Sequence, residues 1–485
     1  MSDDVRAIKA EAAKRLREGR AVEAAQLFER LTELEPGEPN HWFNLGYSRR
    51  MSRAYEPALD AYAEALKRGV SRPEDVYVNR AVIFSEYLHD MSGAEEELRK
   101  AIAANPGSPS AWLNLGNMYE DLGDTEAARK AYSDALRVAP NNGRATARIA
   151  AIDVYEAGAE TALASLRVAA QRRWPTTQDA AEVHFALGNA LDNIGDHAAA
   201  FESIVEGNRL AAAARQPAMR YDPAAQERLI DAMIKLPSLP AAEPLPAEEN
   251  PIFICGMFRS GSTLVEQLLA RHPDITPGGE LEFIPAIIHE ELSPYPQSLA
   301  RISSNRVTEL RDEYLGQLRR LFPQAGRVTD KRPDNFLHIG LIKALFPSAR
   351  IVHTVRNPLD NILSAFFLYF GNDVRYSESL DDLAHYYVQY RRLMDHWCAR
   401  FGGDIHRVDY DALVENPRSE LEPLVQFLGL DWDDACLTPK RGNIVRTASN
   451  WQVRKALHAN SSGRWKHYEQ QLSSVRRYLH AAELL

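Results

Sequence analysis

IFICGMFRSGSTLVEQLLAR, the stretch from residue 252 to residue 271, decides the fold of the C-terminal half of this chain. Its first four residues are apolar, as in a buried parallel strand, and LVEQLLAR at its end has helical spacing. The glycine loop between them, Gly256 to Thr263, would direct backbone N–H groups at the helix start toward an anion. A strand, a glycine loop and a helix in this order predict a P-loop-like α/β domain with a mostly parallel sheet.

The loop departs at one position from the pattern of nucleoside triphosphatases. It nearly matches G-x-x-x-x-G-K-[S/T], but Ser262 stands where the lysine belongs. A triphosphate with bound magnesium needs that lysine to balance charge between its β and γ groups. A phosphosulfate carries less charge, so N–H groups, hydroxyls and the Arg259 cation are sufficient to hold it. The loop therefore favours a sulfated nucleotide, and we expect no metal requirement.

This segment resembles the 5'-phosphosulfate-binding segment of the sulfotransferases, which usually reads PRSGTT before a helix. Phe258 replaces the usual proline, and Ser262 replaces the first threonine but keeps the hydroxyl. The resemblance implies that 3'-phosphoadenosine-5'-phosphosulfate (PAPS) is the cosubstrate and that adenosine 3',5'-bisphosphate is the product. It also implies contacts to the 5'-phosphosulfate from Arg259, Ser260, Gly261, Ser262 and Thr263.

A second segment has the features of a 3'-phosphate site. RIVHTV (350–355) reads as another buried strand, Arg356 follows it, and Ser364 comes eight residues later. A guanidinium and a helix hydroxyl can grip one phosphate together, and arginine offers bidentate geometry. The segment is similar to the 3'-phosphate motif of the sulfotransferases, which implies that Arg356 and Ser364 bind the 3'-phosphate of PAPS.

Two further segments, GGELEFIP (278–285) and TDKRPDNF (329–336), resemble parts of the tyrosylprotein sulfotransferases and their bacterial relatives. By position, Glu280 matches the general base, with Glu282 as the competing candidate, and Lys331 matches the lysine at the oxygen between sulfur and phosphorus. A carboxylate can accept the hydroxyl proton during attack. An ammonium at the bridging oxygen stabilises charge that grows in the transition state. With Arg259, Glu280 and Lys331 form the predicted catalytic set.

Later segments also match the family in the right order, and the resemblance covers nearly all of residues 251–470. Tyr410, within IHRVDYDALVENP (405–417), matches a tyrosine near the bound nucleotide, with core packing as the alternative. RTASNWQVRKAL (446–457) resembles a loop that closes over the cofactor, and its basic character supports this in an acidic protein. The resemblance implies that Ser449, Arg454 and Lys455 reach phosphate.

The N-terminal half reads as a repeat array. One unit that begins near Pro109 has the residue types of a tetratricopeptide (TPR) repeat, whose period is about 34 residues. Each unit is a helix hairpin that buries too little apolar area alone, so neighbours stack into an all-α solenoid. We predict about six hairpins over residues 1–215, a helix and proline-rich linker over 216–250, and a sulfotransferase domain over 251–485. The clearest unit contains Trp112, Leu115, Gly116, Tyr119, Gly123, Ala128, Tyr132, Ala135 and Pro140.

Composition limits the class of protein. Hydrophobic residues make up 45% and charged residues 26% of the 485 positions, as in ordinary globular proteins. The net charge of -10 argues against a general nucleic-acid binder. Cys255, Cys398 and Cys436 have neither metal-ligand nor disulfide-framework spacing, and no apolar run is long enough to span a membrane. We therefore expect a cytoplasmic protein.

The predicted function is transfer of a sulfuryl group from PAPS to a hydroxyl acceptor. The acceptor class stays open among protein or peptide, glycan, lipid and small metabolite. The repeat array is predicted either to hold a protein or peptide, or to serve as a structural or dimerisation surface. One alternative is a nucleotide-dependent kinase on the same plan, which the missing lysine disfavours. The other is a TPR adaptor with an inactive catalytic half, which the retained site residues disfavour.

Overall fold

The computed structural model describes residues 3–216, 219–371, 374–437 and 462–485. The chain divides into two compact units, Met1–Ala145 and Thr146–Leu485. Each unit has its own architecture. Of the predicted site residues, Ser449, Arg454 and Lys455 lie outside the described part of the chain.

The first unit is built from antiparallel helix hairpins. Their packing explains why the repeat needs glycine: a Cβ on Gly46 would meet the Tyr62 ring at 2.7 Å, and a Cβ on Gly116 would meet the Tyr132 ring at 2.4 Å. The same pairing thus recurs in two hairpins, which confirms the predicted repeat architecture. The helices are α1 (Asp3–Arg17), α2 (Ala21–Leu34), α3 (Pro39–Met51), α4 (Tyr55–Lys67), α5 (Pro73–Val82), α6 (Met91–Ala104), α7 (Pro109–Leu122) and α8 (Thr125–Val138). The next helix, α9 (Gly143–Ala157), begins in this unit and runs mostly within the second.

The second unit contains a five-stranded parallel sheet with helices on both faces, which confirms the predicted fold class. The strand order is β2-β3-β1-β4-β5. Residues alternate between the two faces along β1, because Ile252 and Ile254 pack in one apolar cluster and Phe253 and Cys255 in another. The strands are β1 (Ile252–Gly256), β2 (Ile275–Thr276), β3 (Arg327–Lys331), β4 (Ile351–Val355) and β5 (Ile405–Asp409).

After α9, the helices of the second unit are α10 (Ala159–Ala170), α11 (Thr177–Asn193), α12 (His197–Ala214) and α13 (Pro223–Ile234). Those after β1 are α14 (Ser262–Leu269), α15 (Phe283–Glu291), α16 (Ser304–Leu321), α17 (Ile339–Leu345), α18 (Pro358–Phe366), α19 (Leu380–Phe401), α20 (Tyr410–Glu415), α21 (Pro417–Phe427) and α22 (Ser473–Ala481). The carboxyl ends of parallel strands meet at one edge of a sheet, where ligands bind in folds of this type. The loops after β1, β3, β4 and β5 therefore share that edge.

The compact units divide at a different place from the predicted domains. The prediction assigns residues up to 215 to the repeat array, whereas α11 and α12 belong to the same compact unit as the sheet. Asn208 in α12 donates from Nδ2 to the carbonyl oxygen of Phe366 (2.9 Å), at the end of α18. Asn189 in α11 donates to the carbonyl oxygen of Phe367 (3.1 Å). These hydrogen bonds join residues that are far apart in the chain, so no local sequence pattern predicts them.

Candidate active site

The loop between β1 and α14 is shaped by left-handed backbone. Arg259 has a φ of 72° and Gly261 a φ of 100°. A Cβ at Gly261 would lie 2.5 Å from the Tyr410 ring, so only glycine allows this close approach. Among the described residues, no side chain caps α14 at Gly261. Ser262 and Thr263 are the first two residues of α14, and both are buried. The backbone N–H groups at the start of the helix therefore lie at the edge of the sheet.

The loop and the segment after β4 meet through their arginines. Arg259 donates from Nε to the Oγ of Ser364 (3.1 Å), a hydroxyl carried by α18. Arg356 donates from Nη1 to the carbonyl oxygen of Arg259 (3.4 Å). The Arg356 guanidinium also lies over the Tyr410 ring, 4.7 Å from its centroid. The structure therefore brings Arg259, Arg356, Ser364 and Tyr410 into one site.

Positive charge is concentrated and buried in this site. Burial and, to a smaller extent, the neighbouring Arg356 charge lower the pKa of Arg259 to about 10. Burial is also the main reason why the pKa of Arg356 is lowered. Two buried like charges lose hydration and repel each other, so an anion between them would be strongly favoured. The chemistry of the residues present fits a phosphorylated or sulfated ligand.

Hydroxyl groups line the base of the loop. Ser260 Oγ lies 2.7 Å from Thr354 Oγ1, and Thr354 donates to the carbonyl oxygen of Cys255 (3.2 Å). On the other side of the loop, Asn361 donates from Nδ2 to the carbonyl oxygen of Phe258 (3.1 Å). These contacts hold the loop against β4 and α18 at both ends.

Lys331 and Glu280 form an ion pair at the same edge of the sheet. Lys331 Nζ donates to Glu280 Oε1 at 2.6 Å. Lys331 is fully buried at the end of β3, whereas the Glu280 side chain is 37% exposed and can be reached by an acceptor. The pairing of Ile254 in β1 with Lys331 in β3 sets the lysine beside the start of the loop between β1 and α14, which we call the anion loop. A carboxylate and an ammonium thus stand together where the sequence predicts the catalytic pair.

Glu282 has a different environment. It forms an ion pair with Arg332, which also contacts Asp334 Oδ1 at 3.1 Å from its Nε. The Asp334 and Glu282 charges favour the charged guanidinium and raise the pKa of Arg332, although its burial acts in the opposite direction. Glu282 is thus paired with Arg332, whereas Glu280 is paired with Lys331.

Glu266 was missed by the sequence reasoning. It is buried in α14 and accepts hydrogen bonds on Oε1 from Thr329 Oγ1 (2.6 Å) and from the backbone N–H of Gly279 (2.9 Å). Lys331 N donates to the carbonyl oxygen of Gly279 (2.8 Å), so both groups fix the residue before Glu280. The sequence does offer one indication of such a role, because Glu266 is a charged residue inside the apolar run LVEQLL.

The C-terminal segment that begins at Ser462 also reaches this site. Ser462 donates from Oγ to Asp411 Oδ1 at 2.5 Å. The backbone N–H groups of Gly463 and Trp465 donate to the two carboxylate oxygens of Asp360, at 2.6 and 2.8 Å. The turn 462–465 is thereby fixed against the first turns of α18 and α20.

Two other features are absent from the part of the chain that the structure describes. Among the described residues, no group of three or more His, Cys, Asp or Glu side chains is arranged to hold a metal ion. Within the same part of the chain, no helix has both the length and the apolar content that crossing a bilayer requires.

Comparison with known proteins finds two families. Residues 251–434 match the model of the sulfotransferase family, and residues 10–73 and 87–143 match a tetratricopeptide repeat model. An uncharacterized protein of Aquifex aeolicus (strain VF5) is 28% identical over 444 residues, 86% of this chain and 56% of that protein. A protein-tyrosine sulfotransferase of Drosophila melanogaster is 27% identical over 199 residues, 38% of this chain and 39% of that protein.

A solved structure, the sulfotransferase domain from the Synechococcus PCC 7002 olefin synthase, is 23% identical with a TM-score of 0.35. The match covers 48% of this chain and 91% of that domain. The chain spans about half the length of the Aquifex protein and less of the Drosophila enzyme.

Proposed function

We propose that this chain, in which tetratricopeptide repeats precede a domain of the sulfotransferase family, transfers a sulfuryl group from PAPS to a hydroxyl acceptor. The observation that carries the proposal is the 3.1 Å contact between Arg259 Nε and Ser364 Oγ, because it joins the two predicted anion motifs. PAPS has a 5'-phosphosulfate and a separate 3'-phosphate. A site with two buried guanidinium groups suits a nucleotide that carries two anionic centres.

The residues divide between those two centres. The 5'-phosphosulfate would be held by the loop and the start of α14, and the 3'-phosphate by Arg356 and Ser364. Tyr410 would lie beside the nucleotide, since it already contacts both the loop and Arg356. Ser449, Arg454 and Lys455 are proposed as further phosphate contacts. The loop residues are Arg259, Ser260, Gly261, Ser262 and Thr263.

Glu280 and Lys331 would act as a linked pair. Glu280 accepts the proton of the acceptor hydroxyl, which removes the negative charge that neutralises Lys331. The Lys331 ammonium then faces the site with its charge uncompensated, when negative charge grows on the leaving phosphate. Stabilisation that appears only at that stage accelerates the chemical step. Arg259 would add a second cation at the transferred group.

The environment of the two glutamates supports Glu280 as the base. Glu280 is partly exposed and contacts the buried Lys331. Glu282 forms an ion pair with Arg332, which also pairs with Asp334. A base must lie within hydrogen-bond reach of the acceptor hydroxyl, and Glu280 is paired with the predicted leaving-group lysine.

The direct test is turnover of sulfur-labelled PAPS in the presence of a metal chelator. We expect Glu280→Gln and Lys331→Ala each to lower the turnover rate by about 100-fold or more. Glu282→Gln tests the competing base, and we expect it to retain most of the activity. Undiminished turnover in both Glu280→Gln and Lys331→Ala would refute the assigned roles. A loss confined to Glu282→Gln would transfer the base role to that residue.

A kinase on the same plan is tested by calorimetry. We expect adenosine 3',5'-bisphosphate to bind the wild-type chain more tightly than ATP with magnesium does. The reason is that Ser262 replaces the lysine that a triphosphate needs. Tighter binding of ATP with magnesium would favour the kinase, and binding of neither nucleotide would favour an adaptor with an inactive catalytic half.

We propose a hydroxyl-bearing polypeptide as the acceptor and the cytoplasm as its location. Tetratricopeptide repeats suit protein contacts, and one relative is a protein-tyrosine sulfotransferase. Incubation of a lysate with sulfur-labelled PAPS and the purified chain would place the label in protein. Label in the glycan, lipid or small-molecule fraction would identify a different acceptor class.

A further inference from the structure

Arg464 lies along the face of α18 that carries Ser364. The backbone on both sides of Arg464 is bound by Asp360, in the first turn of α18. Its guanidinium lies 4.3 Å from the ring centroid of Phe367, just beyond the last turn. Asp360, Ser364 and Phe367 are spaced i, i+4 and i+7, so they share one face of the helix. The Arg464 side chain therefore extends past Ser364.

The contacts of Arg464 leave part of its guanidinium available to a ligand. Its Nη2 lies 2.9 Å from Asp192 Oδ2, an ion pair with the end of α11. Its Nε is buried and has no hydrogen-bond partner among the described residues. Buried donors are nearly always satisfied in folded proteins, so such an N–H group calls for an acceptor.

The charge of Arg464 acts on the site formed by Arg259, Arg356, Ser364 and Tyr410, which we call the donor site. Burial lowers the pKa of both Arg259 and Arg356, and the Arg464 charge adds to this lowering in each case. The carboxylates near this cluster are already engaged: Asp360 by two backbone N–H groups and Asp411 by the N–H of Asn357 and the hydroxyl of Ser462. The Asp360 and Asp411 charges raise the pKa of Arg356 and so offset part of this lowering. The three guanidinium groups still concentrate positive charge, which favours a multiply charged anion at this place.

We propose that Arg464 is a third anion-binding residue of the donor site and contacts the 3'-phosphate together with Arg356 and Ser364. The inference rests on the proposed function, because it assigns Arg464 to the same nucleotide. Asp192 positions the guanidinium from α11, and Asp360 fixes its backbone. The anchored turn 462–465 would thus deliver a cation from the C-terminal end of the chain to the phosphate.

The test compares two nucleotides that differ only in the 3'-phosphate. Binding of adenosine 3',5'-bisphosphate and of adenosine 5'-monophosphate is measured by calorimetry on the full chain. Arg464→Met keeps an unbranched side chain beside Phe367 but removes the charge. We expect it to weaken binding of the bisphosphate by about 10- to 100-fold, as for loss of one charge-assisted contact, and to leave the monophosphate nearly unchanged.

Arg476→Met is the matched control. Arg476 comes from the same terminal segment and lies 5.4 Å from the Trp465 ring centroid, but it pairs with the exposed Glu469. We expect this variant to bind both nucleotides as the wild type does. Arg464→Lys, which keeps the charge without the fork of donors, should restore part of the lost affinity and retain the fold if the methionine variant does not.

The outcomes separate the two proposals. If the wild type binds neither nucleotide, the proposed function fails and Arg464 loses its assigned ligand. If the wild type binds the bisphosphate, equal weakening of both nucleotides in Arg464→Met would indicate a structural role and overturn the inference. Unchanged bisphosphate binding would overturn it as well.

Discussion

At the scale of single residues, the anion loop depends on conformations that most residues avoid. Arg259 adopts left-handed backbone although it has a Cβ, which costs roughly 1–2 kcal/mol. Such strain persists where the surroundings hold it, and the contact of Arg259 with Ser364 is one such restraint. Gly261 has the same handedness for a different reason, because the Tyr410 ring occupies the space that a Cβ needs.

Gly261→Ala should therefore be costly for the donor site. The added methyl group meets the Tyr410 ring at 2.5 Å and forces left-handed backbone on alanine. We expect a loss of about 2 kcal/mol or more in the free energy of unfolding, and at least a tenfold weaker binding of adenosine 3',5'-bisphosphate. Urea unfolding and calorimetry measure the two effects.

Gly429→Ala provides the control for backbone strain alone. Gly429 also has a positive φ, of 74°, but no described atom lies within 4 Å of the position of its Cβ. Gly429→Ala should lower the free energy of unfolding by only about 1 kcal/mol, and it should bind adenosine 3',5'-bisphosphate as the wild type does. Equal effects of the two alanines on nucleotide binding would contradict the close approach of Tyr410 as the cause.

At the scale of secondary structure, β3 presents buried charge to the site. It ends in Asp330 and Lys331, both fully buried. Asp330 accepts hydrogen bonds from Tyr314 Oη (2.8 Å) and Asn335 Nδ2 (3.1 Å), whereas Lys331 extends to Glu280. The end of β3 thus positions both a structural carboxyl group, that of Asp330, and a proposed catalytic ammonium, that of Lys331.

Asp330 should make the stability of the fold depend on pH. Burial raises its pKa to about 7, against about 3.9 in an unfolded chain. Between these values the folded state holds a proton that the unfolded state has released. The stabilisation is complete below pH 4, and it falls by about 1.4 kcal/mol per pH unit until the pH passes 7. Asp330→Asn should lack this slope in urea unfolding followed from pH 4.5 to pH 8.

Asp381→Asn is the control, because Asp381 is an exposed residue at the start of α19. This variant should keep the wild-type dependence of the free energy of unfolding on pH. The same slope in Asp330→Asn as in the wild type would show that Asp330 titrates normally in the folded state.

The sequence predicts the elements better than the links between them. The strand, loop and helix from Ile252 to Leu269 follow from local apolar spacing and glycine positions, and so do the helix hairpins. Glu266 shows the limit of this reasoning. Its partners, Thr329 and Gly279, come from separate segments, so its role depends on how the sheet pairs β1 with β3. Neither residue lies near Glu266 in the chain.

At the scale of the whole molecule, the second compact unit joins helices from before the proline-rich stretch to the proposed donor site. Asp192 at the end of α11 pairs with Arg464 and accepts a hydrogen bond from Tyr468 Oη at 2.5 Å. Arg215, which follows α12, pairs at 2.6 Å with Glu378, in the segment between α18 and α19. The α11–α12 hairpin therefore has a supporting role for α18, in addition to the repeat pattern that its sequence carries.

Asn208 offers the sharpest test of that supporting role. Its amide is buried and donates to the carbonyl oxygen of Phe366, where α18 ends two residues after Ser364. Asn208→Ala leaves that carbonyl without its donor, which should cost about 1–3 kcal/mol in the free energy of unfolding. Because α18 carries Ser364, we also expect bisphosphate binding to weaken several-fold at temperatures where the variant is folded. Asn193→Ala removes an exposed amide whose hydrogen bond, among the described residues, stays within α11, and it should change neither quantity. If Asn208→Ala lowered stability but bound the nucleotide as the wild type does, the hairpin would stabilise the unit without positioning its donor site.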